Sequence, residues 1–277
     1  MKKVSVYIIT QNRAELAKRA ILSVFEQTYK NIEVIVVDDA SKDATSEMIA
    51  ELQERYPITY FKNSEVKGAC FSRNVAINNA SGEFITGMDD DDYFTPERIA
   101  TLVEYYNDDY AFVCANILEV TKEAKTKRSF GFVEGEFTLK ELLHHNLVGN
   151  QILTETEKLR SIGGFDESFP AFQDYDTWVR LVAKFGKALK ISDANYCLET
   201  DHGGERISSS NTRKHQGFLL FVEKHRDKMS KNHLKSMNIL EFKVQGKPLS
   251  FINMLKNINC GNYRSALSLF KKSFNGV

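Results

Sequence analysis

Strand and helix signals alternate regularly through the first half of this 277-residue chain, and that alternation constrains the fold more than any other feature. Val4 to Thr10 is a β-rich run. Leu16, Ala20, Ile21, Val24 and Phe25 then recur at helical spacing. Ile32 to Val37 is a continuous apolar run ending in Asp38 and Asp39. Ser41 and Asp43 can cap a helix carrying Met48, Ile49 and Leu52. Ile58 to Phe61 reads as a third strand, Ala69 to Ala80 as a helix, and Glu83 to Met88 as a fourth strand running into Asp89. Thr95-Pro96 reads as a helix start, and Tyr110 to Ile117 as a further strand. Such alternation predicts an α/β protein, a Rossmann-like, mainly parallel sheet flanked by helices.

In sheets of this kind ligands bind beyond the carboxyl ends of the strands. Three polar clusters therefore fall on one rim: Thr10 to Arg13, Asp38-Asp39, and Asp89 to Asp92. The middle of the chain is less regular. Phe130 to Phe137 resembles a strand with glycine breaks, and Thr138 to His144 a short helix. Asp174 to Phe185 reads as a helix, and Ala188 to Leu198 as one or two strands. After about Arg206 the chain becomes helical and lysine-rich, which divides it into residues 1–205 and a basic helical extension, 206–277.

Composition narrows the partners. Acidic and basic residues balance at 37 each, so overall charge gives no drive toward nucleic acid. Cys70, Cys114, Cys197 and Cys260 are far apart and form no CxxC pair, as expected of free thiols in a reducing compartment. The start, MKKVSVYIIT, turns polar too soon for a signal peptide, and no later apolar run is long enough to span a bilayer. A cytoplasmic protein is expected, with contact at the inner face of a membrane left open.

Four consecutive aspartates at a strand end are relieved by a cation or by solvent, a solvated acidic turn being the alternative to a metal site. Unit charges 4 Å apart repel by ~1 kcal/mol in water and by roughly 4 kcal/mol near a protein surface. Hard carboxylate oxygens select Mg²⁺ or Mn²⁺ over softer metals, with water and phosphate oxygens completing the shell. Asp39, ending IEVIVVDD, can accept from the N3–H of a uracil ring or from ribose hydroxyls; helix capping by the same segment is the alternative. Lys67-Gly68-Ala69 and Arg73-Asn74 open a helix whose free N–H groups and positive dipole end suit an anion. An ordinary solvated helical face is the alternative there.

In order, YIITQNR, VVDDAS, GACFSRN, GMDDDDYFTPERI, GGFDE and QDYDTWVRL resemble the family 2 glycosyltransferases of the GT-A fold, over about residues 3 to 200. The resemblance implies transfer of a sugar from a nucleotide diphosphate sugar, foremost a UDP-sugar, to an acceptor hydroxyl with inversion at the anomeric carbon. The acceptor would be a glycan or a lipid-linked molecule of bacterial surface polysaccharide or lipopolysaccharide synthesis. Carried over by position, Thr10 and Arg13 would line the nucleotide pocket, with Lys67 beside it. Asp39 would contact the base, Arg73 the nucleotide, and Asp90 the ribose or sugar. Asp89 and Asp91 match the DxD motif, with Asp91 the direct ligand of Mn²⁺ or Mg²⁺ and His202 a third ligand. Gly163 to Asp166, including Gly164 and Phe165, would border the donor sugar and acceptor. Asp174 would be the catalytic base. Two departures stand out: Gln173 replaces the usual Glu before that base, and Gln11 stands where an aromatic is common.

A nucleotidyltransferase is the rival enzyme class, but it should carry a glycine-rich loop after the first strand, and TQNRAEL has no glycine. A non-catalytic nucleotide-sugar-binding module is the other rival, and the Asp89/Asp91 pair together with Asp174 argues against it. The extension resembles no motif. Its lysines and arginines (Lys224, Arg226, Lys228, Lys231, Lys235, Lys271, Lys272) and apolar residues (Phe251, Ile252, Leu255, Ile258, Leu267, Leu269, Phe270) suit either packing onto the catalytic region or peripheral membrane contact.

Overall fold

The computed structural model describes residues 1–121, 123–128, 134–149, 151–200 and 211–274. The strands are β1 (Val4–Thr10), β2 (Ile32–Asp38), β3 (Ile58–Lys62), β4 (Phe84–Asp89), β5 (Tyr93–Phe94), β6 (Val113–Val120), β7 (Lys125–Arg128), β8 (Gly135–Phe137), β9 (Leu153–Glu155) and β10 (Ala188–Glu199). The helices of the first half are α1 (Ala14–Phe25), α2 (Thr45–Gln53), α3 (Ala69–Asn79) and α4 (Arg98–Tyr105). Then come α5 (Leu139–Leu142), α6 (Thr156–Arg160) and α7 (Gln173–Phe185). The extension holds α8 (Asn211–His225), α9 (Lys231–Gln245), α10 (Phe251–Asn257) and α11 (Tyr263–Phe274).

The sheet runs in the order β3-β2-β1-β4-β9-β6-β10-β5, with β7 paired to β6 and β8 to β10. The first four are mutually parallel. The short β9 lies antiparallel between β4 and β6, so the sheet is mixed. Its three residues show too little alternation to be recognised as a strand in the sequence. The long β10 is one strand, bent by register shifts between Ile191 and Tyr196. From β1 the chain builds outward through β2 and β3, then returns to β4 on the other side of β1. That reversal opens a crevice at the carboxyl ends of these strands.

The pleat sends alternate residues to opposite faces, and both faces are covered. Tyr7, Ile35, Val37 and Ile85 pack with Ala76, Ile77, Trp178 and Leu181 on one side. Val6, Ile8, Val34, Val36 and Met88 pack with Ile21, Val24, Ile49, Ile99 and Leu102 on the other. Two boundaries differ from the sequence reading. The helix expected at Thr95-Pro96 begins at Arg98, because the Thr95 and Pro96 carbonyls accept from Gln27 Nε2 (2.8 Å) and the Thr28 N–H (2.8 Å). Ala44 takes the N-cap position of α2, while Asp43 still accepts from the N–H of its first residue, Thr45, at 3.1 Å; Ser41 and Asp43 also receive the Asn12 and Ala14 N–H groups and so join the loops after β1 and β2. All four cysteines are free. No helix among the described residues is long and apolar enough to cross a membrane.

The extension packs onto the α/β core through its first two helices, with Met237 and Val244 of α9 in the core cluster beside α8. Phe218 and Phe221 of α8 join the same apolar cluster as Trp178, and Phe221 stacks on Tyr175 at 4.1 Å. Beneath them Asp176 is fully buried. Its carboxylate receives Arg180 Nε at 2.8 Å, His225 Nε2 at 2.8 Å and Lys224 Nζ at 2.9 Å. Burial alone would raise its pKa; the His225 hydrogen bond, the Arg180 charge and the Lys224 hydrogen bond hold it below the ordinary carboxylate range. Lys224 also reaches Asp166 at 2.7 Å, and Arg180 binds the Ile162 and Gly164 carbonyls, each at 2.7 Å. This buried carboxylate thus joins α7, α8 and the Gly163–Asp166 segment. Asp176→Ala leaves three buried or half-buried donors without their acceptor, and should lower unfolding free energy by about 3–5 kcal/mol. Urea denaturation checks this; a loss under about 1 kcal/mol would show that the cluster contributes little.

Candidate active site

The rim of the crevice is built from loops held in unusual backbone conformations. Asn12 (φ 53°), Ala40 (φ 59°) and Phe172 (φ 67°) are the non-glycine residues with left-handed backbone among the described residues. They follow β1, follow β2 and precede α7, so all three flank the site. Bulky or branched residues rarely hold such angles without surrounding packing, and such strain concentrates at functional sites. Phe172 is held by aromatic contacts with Tyr175, Phe218 and Phe221.

The aspartate run is neutralised by the protein's own groups, one residue at a time. Asp89 Oδ1 accepts from Arg73 Nη2 at 3.1 Å. Asp90 accepts from Thr10 Oγ1 at 2.9 Å and from Arg13 Nη1 at 3.0 Å. Arg13 Nη1 also lies 3.3 Å from Asp91 Oδ2. Asp92 is fully buried and structural: it accepts from the Tyr196 hydroxyl at 2.7 Å and the Glu199 N–H at 3.2 Å, pinning the loop to β10. Burial pushes the Asp90 carboxyl up to about 6; Arg13 and Thr10 oppose the rise and the Asp91 charge adds to it. Sequence reading missed Arg19, which donates to the Asp91 carbonyl at 2.6 Å and pairs with Glu199, and Tyr196. Neither lies in a motif; only the folded rim brings them to the aspartates.

Asp39 is 4% exposed, and its carboxylate accepts from Asn63 Nδ2, the Lys67 N–H and the Gly68 N–H, each at 2.8 Å. It thereby fixes the loop that leads into α3. The Lys67 ammonium pairs with Glu65. Arg73, on the first turns of α3, is 6% exposed. Its guanidinium lies between Asp89 and Asp174, 3.8 Å from Asp174 Oδ1, and 5.1 Å above the Phe165 ring. Burial would lower its pKa; Asp174 and Asp89 outweigh that and raise it, so it is a fixed cation.

Asp174 stands in the first turn of α7, with a quarter of its side chain exposed (25%). Burial pushes its carboxyl up to about 6, against the pull of Arg73 and with help from Asp89. Among the described residues its Oδ1 has no hydrogen-bond partner, and neither have Nε and Nη1 of Arg73. Buried polar atoms are seldom left so, and two such groups facing each other mark a place where a ligand or water belongs. Phe165 is 2% exposed and backs Arg73, while both its N–H and its carbonyl bond to the Asn74 amide. Gly164 (φ +66°) lies against the same amide; a Cβ there would come within 2.4 Å of Asn74 Oδ1. Asp166 is held down to about 2: burial would raise it, and hydrogen bonds from Lys224 and Ser168 reverse that. His202 lies outside the described residues.

Among the described residues no three His, Cys, Asp or Glu side chains converge into a closed metal cage. The Asp91 and Asp89 side chains remain partly exposed, 14% and 33%, and offer hard oxygens at the rim. That donor set fits a divalent cation such as Mg²⁺ or Mn²⁺, which keeps most of its positions for water and phosphate.

A carboxylate-lined crevice at the switch point of this sheet is the GT-A architecture of nucleotide-sugar-dependent glycosyltransferases. Residues 5–162 match the glycosyl transferase family 2 model, and the chain belongs to that family. It is 32% identical over 265 residues to a protein of Escherichia coli K12 named colanic acid biosynthesis glycosyl transferase WcaA, covering 94% of each chain. It is 33% identical over 187 residues to the GalNAc(5)-diNAcBac-PP-undecaprenol beta-1,3-glucosyltransferase of Campylobacter jejuni, covering 65% of this chain and 60% of that one. Among solved structures, S. aureus TarS residues 1–349 with UDP-GlcNAc superposes with a TM-score of 0.69 at 20% identity, over 98% of this chain and 81% of that one. The Pyrobaculum calidifontis mannosyltransferase PcManGT with GDP-Man and Mn²⁺ gives 0.62 at 19%, over 99% and 74%. These two structures share the fold.

Proposed function

We propose that this chain is an inverting transferase that moves a sugar from a UDP-sugar to a hydroxyl of a glycan or lipid-linked acceptor in bacterial surface polysaccharide synthesis. One observation carries this reading: the Asp174 carboxylate, raised toward neutral pH and with its Oδ1 accepting no hydrogen bond among the described residues, lies against Arg73 beside the Asp89–Asp91 rim. A carboxylate with a pKa near the working pH suits a general base. The acceptor oxygen attacks the anomeric carbon while its proton passes to Asp174. The bond from that carbon to the diphosphate oxygen breaks on the opposite face, so the nucleoside diphosphate leaves and the centre inverts. Arg73 fixes Asp174 relative to Asp89 by pairing with both. Thr10 and Arg13 hold Asp90 at the mouth of the nucleotide crevice. Asp91 and Asp89 would hold Mn²⁺ or Mg²⁺, which when bound supplies charge neutralisation for the departing diphosphate.

The UDP-GlcNAc seen with TarS and the undecaprenol-linked acceptor in the Campylobacter relative's name support the choice of donor and acceptor class. A panel of UDP- and GDP-sugars, assayed with Mn²⁺ for release of the nucleoside diphosphate, tests the reading. UDP release with at least one sugar is the expected result. Tight donor binding without any release would favour a binding module. Pyrophosphate release from a nucleoside triphosphate and a sugar phosphate would favour a nucleotidyltransferase.

A further inference from the structure

The two last helices carry a surface that the catalytic reading does not use. Phe251, Ile252 and Leu255 of α10 are 54%, 64% and 56% exposed, and Tyr263 and Leu267 of α11 are 44% and 42% exposed. Leu255 lies four positions after Phe251 and three after Ile252, and Leu267 four after Tyr263, so within each helix they share one side. Phe251 and Phe270 touch with ring centroids 5.9 Å apart, which ties the two helices together. The opposite faces are satisfied: Met254 and Ala266 are buried against Ile239 and Leu249. The exposed apolar residues are therefore not a core that failed to close; a small core already exists beneath them. Solvent-exposed apolar patches of this kind on a folded protein mark an interaction surface.

Charge decides the occupant. After Glu241 the sequence contains no acidic residue, yet it carries Lys243, Lys247, Lys256, Arg264, Lys271 and Lys272, in a chain whose overall charge is zero. All six are exposed, and Lys256, Arg264, Lys271 and Lys272 lie on α10 and α11 themselves. A second copy of the chain would bring the same cations against themselves, which disfavours a symmetric dimer through this face. An anionic lipid surface satisfies both halves of the pattern, because apolar side chains enter the acyl boundary while cations meet the headgroups. We propose that α10 and α11 form a docking surface for an anionic phospholipid membrane, presenting the crevice to lipid-linked acceptors; the second clause rests on the function proposed above, the first does not. The lysines nearer the catalytic region are excluded from this surface: Lys224 pairs with Asp166 and Asp176, and Lys228 with Asp227. The link to the site is short. His233 of α9, the helix on which α10 and α11 pack, bonds the Lys140 carbonyl, and Tyr175 of α7 bonds the Leu142 carbonyl, so α9 and the helix of Asp174 brace the same α5 turn.

The test uses the full chain with sedimented vesicles of phosphatidylglycerol mixed with phosphatidylethanolamine, against vesicles of phosphatidylcholine alone. The intact protein should bind the anionic vesicles at least about tenfold more tightly, and added salt should weaken that binding. Ile252→Glu with Leu255→Glu, both solvent-exposed, should lose at least about tenfold in vesicle binding while UDP-sugar hydrolysis stays unchanged. Lys271→Glu with Lys272→Glu should reduce anionic binding without changing binding to phosphatidylcholine. Equal binding to both vesicle types, no binding to either, or undiminished binding by the Ile252→Glu/Leu255→Glu chain overturns the proposal. So does a dimer in gel filtration that the same double substitution splits while vesicles remain unbound. Loss of the membrane result with UDP release intact leaves the transferase reading standing; absence of UDP release with vesicle binding intact removes only the latter.

Discussion

Asp174→Asn should slow sugar transfer by at least ~10²-fold, the usual loss when a general base is removed, with donor affinity nearly unchanged. The substitution keeps size and removes the proton-accepting charge. Donor contacts are assigned to other residues, so the Michaelis constant for the donor should hold while the turnover number falls. The pH profile gives an independent reading. With its pKa near 6, Asp174 accepts a proton only when ionised, so transfer should be level above about pH 7 and fall about tenfold per unit below pH 6. Asp174→Asn should abolish that acidic limb along with the rate. Asp176 is the sequence neighbour that could compete for the role, two positions and about 200° of helical rotation away. Its oxygens already receive Arg180, Lys224 and His225 in a fully buried position, so no acceptor hydroxyl reaches it. Should Asp174→Asn transfer at the native rate while Asp176→Asn does not, the two roles are exchanged.

Asp91→Ala should abolish transfer, by ~10³-fold or more, with the fold intact. Asp91 is partly exposed and belongs to no apolar cluster, and Arg13, which pairs with it, keeps Asp90. The melting temperature should therefore change little, because the substitution removes a charge from a crowded carboxylate run. Activity should depend on Mn²⁺ or Mg²⁺ and vanish in excess chelator. Full activity in chelator, or a fully active Asp91→Ala chain, would remove the metal from the reaction. In that case Arg13 becomes the cation to test against the diphosphate, since it already sits on Asp90 and Asp91.

How much of this was legible beforehand differs by element. The strands β1 to β4 and the helices between them were readable because buried parallel strands are continuous apolar runs and their helices are strongly periodic. The three-residue β9 and the bent β10 were not, since neither has a pattern long or regular enough to distinguish it. The aspartate run and Arg73 stood out because they lie at a strand end and near a helix start, while Asp174 was singled out only by the family resemblance. Their partners did not stand out.

The sequence by itself determined the class of fold, the rim on which the site lies and the residue types that gather there, because periodicity and strand ends are local properties of the chain. Tertiary structure alone decided which charge meets which. It assigned Arg73 to Asp89 and Asp174, Arg13 to Asp90 and Asp91, and Tyr196 to Asp92, joining residues up to 104 positions apart. It also divided the basic extension in two: α8 and α9 are bound into the core, α8 through Asp176, and α10 and α11 expose apolar residues. The physical reason is the same in both cases: the energy of a charge or an apolar face depends on what burial places beside it, and burial is a property of the folded chain.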